Sequence, residues 1–353
     1  MGMPSISITF TELASTAIAR GEKGIIALIL KDTVPAENPI VCASEQDIPA
    51  TLSADNKEQI ALALKGYVNA PKRVIAYVEA KEAKNYDKAL KYFKTVKFDY
   101  LVVPTVETDG QATSIVSYVK AEREANKMIK AVLPNQIADF EGIINFATPS
   151  LFVDGKEYTT EKYCSRIAGI IAGTPASISA TYAPLPEVTD CTRLTKTEAD
   201  NAVNAGKFIV WYDGEKVKTG RAVNSLTTTT DSKGVQFQKI KIVDVLDMIS
   251  TDIRMTAEDN YIGKYANTYG NKGLLIAAIG NYFDGLIREN VLSKASIDID
   301  IDANRAYLKG KGIDVDSMAD NEIKSADTGS FVFLKCKLSI LDAIEDIVLP
   351  ITI

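Results

Sequence analysis

Histidine does not occur in the 353 residues. Its absence removes the commonest general base, a common metal ligand and every Ser-His-Asp or Cys-His arrangement. Cysteine is scarce: Cys42, Cys164, Cys191 and Cys336 are widely scattered and form no CxxC pair. They read as free thiols in or near the core, with no disulfide framework. No long basic tract occurs, and the formal net charge is -6, which argues against nucleic-acid binding. Long apolar runs are missing too. Residues 24–30 (GIIALIL) form the longest, far short of the roughly 20 residues that a spanning helix needs. Residues 1–20 lack the basic start and apolar stretch of a signal peptide, so synthesis and folding in a cytoplasm are expected. Neither GxxxxGK[ST] nor GxGxxG is present; Gly206-Lys207 and Gly263-Lys264 lack the upstream glycine and the following Ser/Thr. No cofactor and no metal site is expected.

What is present is ordinary globular material: 46% apolar and 24% charged residues, enough for two or three domains. Ile6, Ile8 and Phe10 alternate with Ser7 and Thr9, a strand with one apolar face. Residues 24–30, 73–79, 98–104, 129–134 and 142–147 read as buried strands. Residues 53–67, 86–93, 111–128 and 160–173 read as helices. Strands alternating with helices of this size predict an α/β core with a parallel or mixed sheet. Thr195-x-x-Glu198 has capping-box spacing. Asp213-Gly214 lies between two strand runs, as a tight turn requires. Residues 240–258 and 272–290 read as helices, and 296–302, 330–340 and 347–353 as strands. These last elements give an α+β carboxyl-terminal part.

Few residues suggest chemistry. Asp298, Asp300 and Asp302 begin a calcium-loop pattern, but Ala303 stands at the glycine position and Lys309 at the closing glutamate. A strand with Ile297, Ile299 and Ile301 inward is the simpler reading. Asp139 and Glu141 read as a solvated loop or a subunit contact, and Cys164 as core.

Several segments resemble the contractile tail sheath family. Residues 139–146 (DFEGIINF), 163–188 (YCSRIAGIIAGTPASISATYAPLPEV), 206–229 (GKFIVWYDGEKVKTGRAVNSLTT) and 332–353 (VFLKCKLSILDAIEDIVLPITI) carry the resemblance, so it covers nearly the whole chain. It is closest to short sheaths of Gram-positive phages and bacteriocins. The resemblance implies a subtilisin-like α/β core without protease activity. It implies stacked hexameric rings forming a helical sheath around a tube, with terminal strands exchanged between subunits. The chain then divides into an amino-terminal arm and linker (1–20), a core (21–230), a carboxyl-terminal domain (231–343) and a carboxyl-terminal arm (344–353).

Ile6, Ile8, Phe10, Val348, Ile351 and Ile353 are the strand-exchange candidates; both termini pairing within their own subunit is the alternative. The resemblance places the carboxyl-terminal domain inside. Arg288 and Lys294, on the helix from residue 272 and its continuation, are the expected tube contacts. Expected partners are copies of the chain, the tube protein, and baseplate and terminator proteins, with no nucleic acid and no membrane insertion. The product is a virion tail or bacteriocin particle assembled in the bacterial host cytoplasm. A small-molecule-binding α/β module, or an enzyme using lysine or carboxylate, is the competing reading.

Overall fold

The computed structural model describes residues 17–21 and 23–352. Ile6, Ile8, Phe10 and Ile353 lie outside the described residues. The chain divides into two compact units. One is Gly21–Thr251 with Asp342–Ile353; the other is Asp252–Leu341 with the described residues up to Arg20.

The first unit contains, in chain order, β1 (Ile25–Asp32), β2 (Ile40–Cys42), α1 (Ala54–Leu64), β3 (Arg73–Ala80), α2 (Asp87–Phe93), β4 (Tyr100–Val102), α3 (Ala112–Glu124) and β5 (Lys130–Pro134). Then come β6 (Ile143–Phe146), β7 (Ser150–Val153), β8 (Lys156–Thr159), α4 (Thr160–Ala172), β9 (Val188–Cys191), α5 (Lys196–Asn204), β10 (Lys207–Phe208), β11 (Val210–Tyr212) and β12 (Val217–Thr219). Helix α6 (Ile240–Asn260) begins in this unit and continues past its boundary.

Seven strands form one sheet in the order β10-β6-β5-β4-β1-β3-β2. Pairing is parallel except at the edge, where β2 runs antiparallel to β3. The central strands are apolar at nearly every position because both faces are covered. Period-2 alternation then sorts the side chains. Ile26, Leu28 and Leu30 pack with Ile60 of α1 and Ile167 of α4. Ile25, Ala27 and Ile29 pack with Phe93 of α2 and Val119 of α3. The result is a helix–sheet–helix sandwich, the α/β core expected from the alternating pattern.

The second unit contains α7 (Tyr269–Arg288), β13 (Leu292–Ile299), α8 (Ile301–Gly310), α9 (Asp320–Ser325) and β14 (Leu334–Ile340). Strands β13 and β14 form a two-stranded antiparallel sheet, and a small apolar cluster holds Leu308, Val315 and Ile323.

Local chemistry moved several expected boundaries. Helix α3 stops at Glu124, short of residue 128, because Asn126 adopts φ +61°. The strand expected over 296–302 ends at Ile299: the Asp300 carboxylate accepts the Ala303 N–H (3.0 Å) and starts α8. Ile301 is therefore helical. Helix α7 ends at Arg288, so Lys294 lies on β13 and not on a continuation of the helix. Asp213-Gly214 belongs to a four-residue connection, in which Asp213 accepts the N–H groups of Glu215 and Lys216 at 3.0 Å each. The sequence expectation holds no hairpin at β7–β8, which turns at Asp154 (φ +49°) and Gly155 (φ +81°). The Thr195 capping box is present as expected. Cys42, Cys164 and Cys191 are buried; Cys336 departs from the core expectation and is exposed on β14.

Candidate assembly surface

Segments that stood out in the sequence turn out to hold one another. Asp139, in the left-handed region at φ +46°, accepts the N–H groups of Thr227 (2.7 Å) and Thr228 (2.9 Å). The Thr228 side chain together with these backbone bonds holds its carboxyl well below the usual range. Ser225 donates to the Phe140 carbonyl at 2.9 Å, and its own N–H reaches the Ile143 carbonyl at 2.8 Å. Glu141 is not solvated, as a loop reading would have it. It is buried, 2.7 Å from Lys233 and 3.9 Å from Arg123.

In α4, Arg166 is buried and bonds Glu187 (2.6 Å) and the Gly66 carbonyl (2.5 Å). Three residues on, Gly169 faces α1, where any Cβ would overlap the Ala63 carbonyl. The residues of 163–173 are thus explained by packing.

A buried ion cluster secures the start of α6. Asp247 is gripped by Lys130 (2.6 Å) and by both terminal nitrogens of Arg123 (2.8 and 2.9 Å). Asp244 takes Lys130 at 3.0 Å and the Tyr100 hydroxyl at 2.6 Å. Burial opposes the Asp247 charge, yet the two cations hold its carboxyl below the ordinary range.

The returning chain is fixed just before this helix. Lys239 pairs with Asp342 and, at 3.2 Å, with Glu345. Arg221 lies 2.6 Å from Asp346. Thr181 donates its hydroxyl to Glu345 at 2.5 Å. Beyond Asp346 the chain makes no strand in the described structure. Ile347, Val348, Leu349 and Ile351 are 82, 92, 74 and 78% exposed. Monomeric proteins rarely leave so contiguous an apolar set in water unless it meets a partner.

The other unit offers backbone. Among the described residues β13 and β14 pair only with each other, which leaves one edge of each strand open. A two-stranded sheet is marginal by itself and gains stability from a third strand. By contrast, the edges of the seven-stranded sheet are the very short β10 and β2. Arg288 at the end of α7 and Lys294 on β13 are both exposed.

Among the described residues, the carboxylates at the carboxyl ends of the strands serve the fold. In open parallel sheets, ligands bind beyond the carboxyl ends of the strands. Here Asp32 accepts from Ser53 N–H, Thr33 N–H and Asn56. Glu161 accepts the N–H groups of Glu107 and Thr108 and the Thr108 hydroxyl. Both carboxylates stitch loops together. Burial pushes the Cys164 thiol far above its ordinary value, the opposite of what a nucleophile needs. Among the described residues, no group of three or more acidic or cysteine side chains is placed to hold a metal, and no helix is long and apolar enough to cross a membrane.

Similarity to known proteins runs the length of the chain. The family model for the phage tail sheath protein central domain matches residues 79–225, and that for the phage tail sheath C-terminal domain matches residues 232–353. The tail sheath protein of Clostridium phage phiCD119 is 42% identical over 356 residues, covering 98% of each chain. The sheath tail protein from Desulfitobacterium hafniense has a TM-score of 0.70 at 18% identity, covering 84% of this chain and 94% of that one. The contracted helical sheath of the anti-feeding prophage has a TM-score of 0.71 at 11% identity, covering 100% and 99%. At such identities the two structures speak to the fold alone.

Proposed function

The chain belongs to the phage tail sheath family, and from that premise we propose that it is a structural subunit of a contractile tail sheath that polymerises with its own copies. The family is structural and not enzymatic. In this reading the subunits stack as hexameric rings around an inner tube and shorten to drive that tube through a cell envelope. Baseplate and terminator proteins bound the sheath at its ends. Residues 1–20 and 344–353 act as arms, 21–230 as the core and 231–343 as the carboxyl-terminal domain. The particle is a phage tail or a bacteriocin.

The observation that carries the proposal is the exposed apolar arm. Added to an open edge of β13 or β14 in a second copy, Val348 and Ile351 would be buried along with their neighbours. Each fully buried side chain of this kind contributes about 1.5–3 kcal/mol, and each strand hydrogen bond about 0.5–1.5 kcal/mol net. A few of each keep subunits joined while other contacts rearrange. Ile6, Ile8 and Phe10 supply the corresponding apolar set at the other end. Exposed Arg288 and Lys294 suit a tube surface of opposite charge, where pairs worth about 0–1 kcal/mol each are easily released.

The test is assembly of the full chain and of a chain lacking residues 347–353, followed by negative-stain imaging. The full chain is expected to form cylinders. The truncated chain is expected to remain a soluble monomer with a nearly unchanged melting temperature, as is I6D/I8D. Long tubes from the truncated chain, or its outright unfolding, would overturn strand donation. In the same assay, R288E/K294E should lose co-assembly with tube protein at low salt; unchanged co-assembly would remove these two residues from the tube contact.

A further inference from the structure

The carboxyl-terminal segment is not free along its whole length. Asp342, Glu345 and Asp346 are bound; Ile347, Val348, Leu349 and Ile351 are exposed. Glu345 is the centre of the bound part. Its side chain is 6% exposed, against 42% for Asp342 and 74% for Asp346.

The groups that hold it are fixed before the arm arrives. Thr181 also accepts the Ala222 N–H (3.0 Å), which ties its loop to the segment carrying Arg221. Lys239 immediately precedes α6, which the Lys130–Asp244 and Lys130–Asp247 pairs secure to the sheet. The bound residues therefore rest on a rigid seat, although β14, just upstream, belongs to the other compact unit.

We propose that Glu345, with Asp342 and Asp346, is an anchor that sets the point from which the arm swings, so that the donated segment begins at Ile347. The inference rests on the strand-donation reading above. It concerns reach. Residues 347–353 are seven in number and span at most about 25 Å when extended. Released at Leu341, the free segment would be 12 residues and span about 43 Å. Local strand concentration falls roughly as the −3/2 power of tether length, so losing the anchor lowers it roughly 2–3-fold for each donated strand. Glu345 is thus a positioning residue for assembly.

The test uses the full chain with E345K, and E345Q where charge reversal prevents folding. Backbone order over 343–346 in the monomer, read as NMR order parameters, is followed together with the critical concentration for polymerisation. The variant should keep the melting temperature of the core, fall to the order parameters of a flexible segment over 343–346, and need roughly 2–3-fold or more protein to polymerise. Five flexible residues inserted after Asp346 lengthen the tether by as much without touching the anchor. They should copy the polymerisation defect but leave the backbone order over 343–346 unchanged.

An anchor variant that keeps the parent's order over 343–346 and polymerises like the parent overturns the inference, as does an insertion that leaves the critical concentration unchanged. The truncated chain separates the two ideas. If it polymerises, strand donation itself fails. If it does not, while E345K or E345Q polymerises normally, only the anchor fails.

Discussion

Asp247 illustrates what a single residue does here. It is buried and shared between Lys130 and Arg123. Removing its charge would leave two cations in a low-dielectric site, and breaking such a pair costs about 3–5 kcal/mol. D247N should therefore lower unfolding stability by that order in denaturant titrations of the monomer. The pH dependence has a definite sign. The folded carboxyl lies below its ordinary value, so its stabilising contribution is complete above an unfolded pKa of about 3.9. That contribution is lost as pH falls through the lower folded value. The parent should lose stability with acid below about pH 4, and D247N should show a shallower acid slope. Equal slopes would mean that Asp247 does not carry the effect. The residue types hinted at none of this. A lone Asp in an apolar helix reads as surface until its partners, more than 100 positions away, are known.

Among the elements, the contact between α1 and α4 makes the sharpest case. Gly169 lies mid-helix, where replacement by alanine would ordinarily stabilise by about 0.8–1 kcal/mol. The added Cβ, however, meets the backbone carbonyl of Ala63, which cannot rotate aside like a side chain. Overpacking costs about 1–3 kcal/mol, so sterics outweigh propensity. G169A should be destabilising by up to about 2 kcal/mol in chemical denaturation, the overpacking cost less the propensity gain. A stabilised variant would show that the helices separate freely. Most of the parallel strands were legible from their apolar runs, because strands covered on both faces need nothing else. The strand expected at 347–353 was not found as one: Ile347–Thr352 carry the apolar pattern, but strand pairing requires a second strand that the described chain does not supply.

For the whole molecule, the seat of α6 and the arm anchor are stiff, while the apolar arm is exposed. In the proposed sheath, contraction would be rigid cores moving while donated strands hold them together. No P-loop signature accompanies this arrangement, so the energy would be stored in a metastable extended lattice that gains buried surface on contraction. Purified extended particles should contract on acid, heat or denaturant treatment without nucleotide, as read by particle length in electron micrographs. A strict ATP requirement would exclude stored energy as the drive.

By itself the sequence determined the α/β class, the lack of histidine chemistry and the apolar character of the arm, all of which depend on composition and short-range periodicity. The segments that resemble sheath proteins were also legible, but not their purpose. That Asp139 seats the Thr227–Thr228 backbone, that Arg166 meets Glu187, and that Lys239 and Arg221 receive the acidic residues after Leu341 was decided by tertiary structure. Ion pairs between residues so far apart in sequence leave no periodic trace. Only the folded path of the chain selects which of 40 cations meets which of 46 carboxylates.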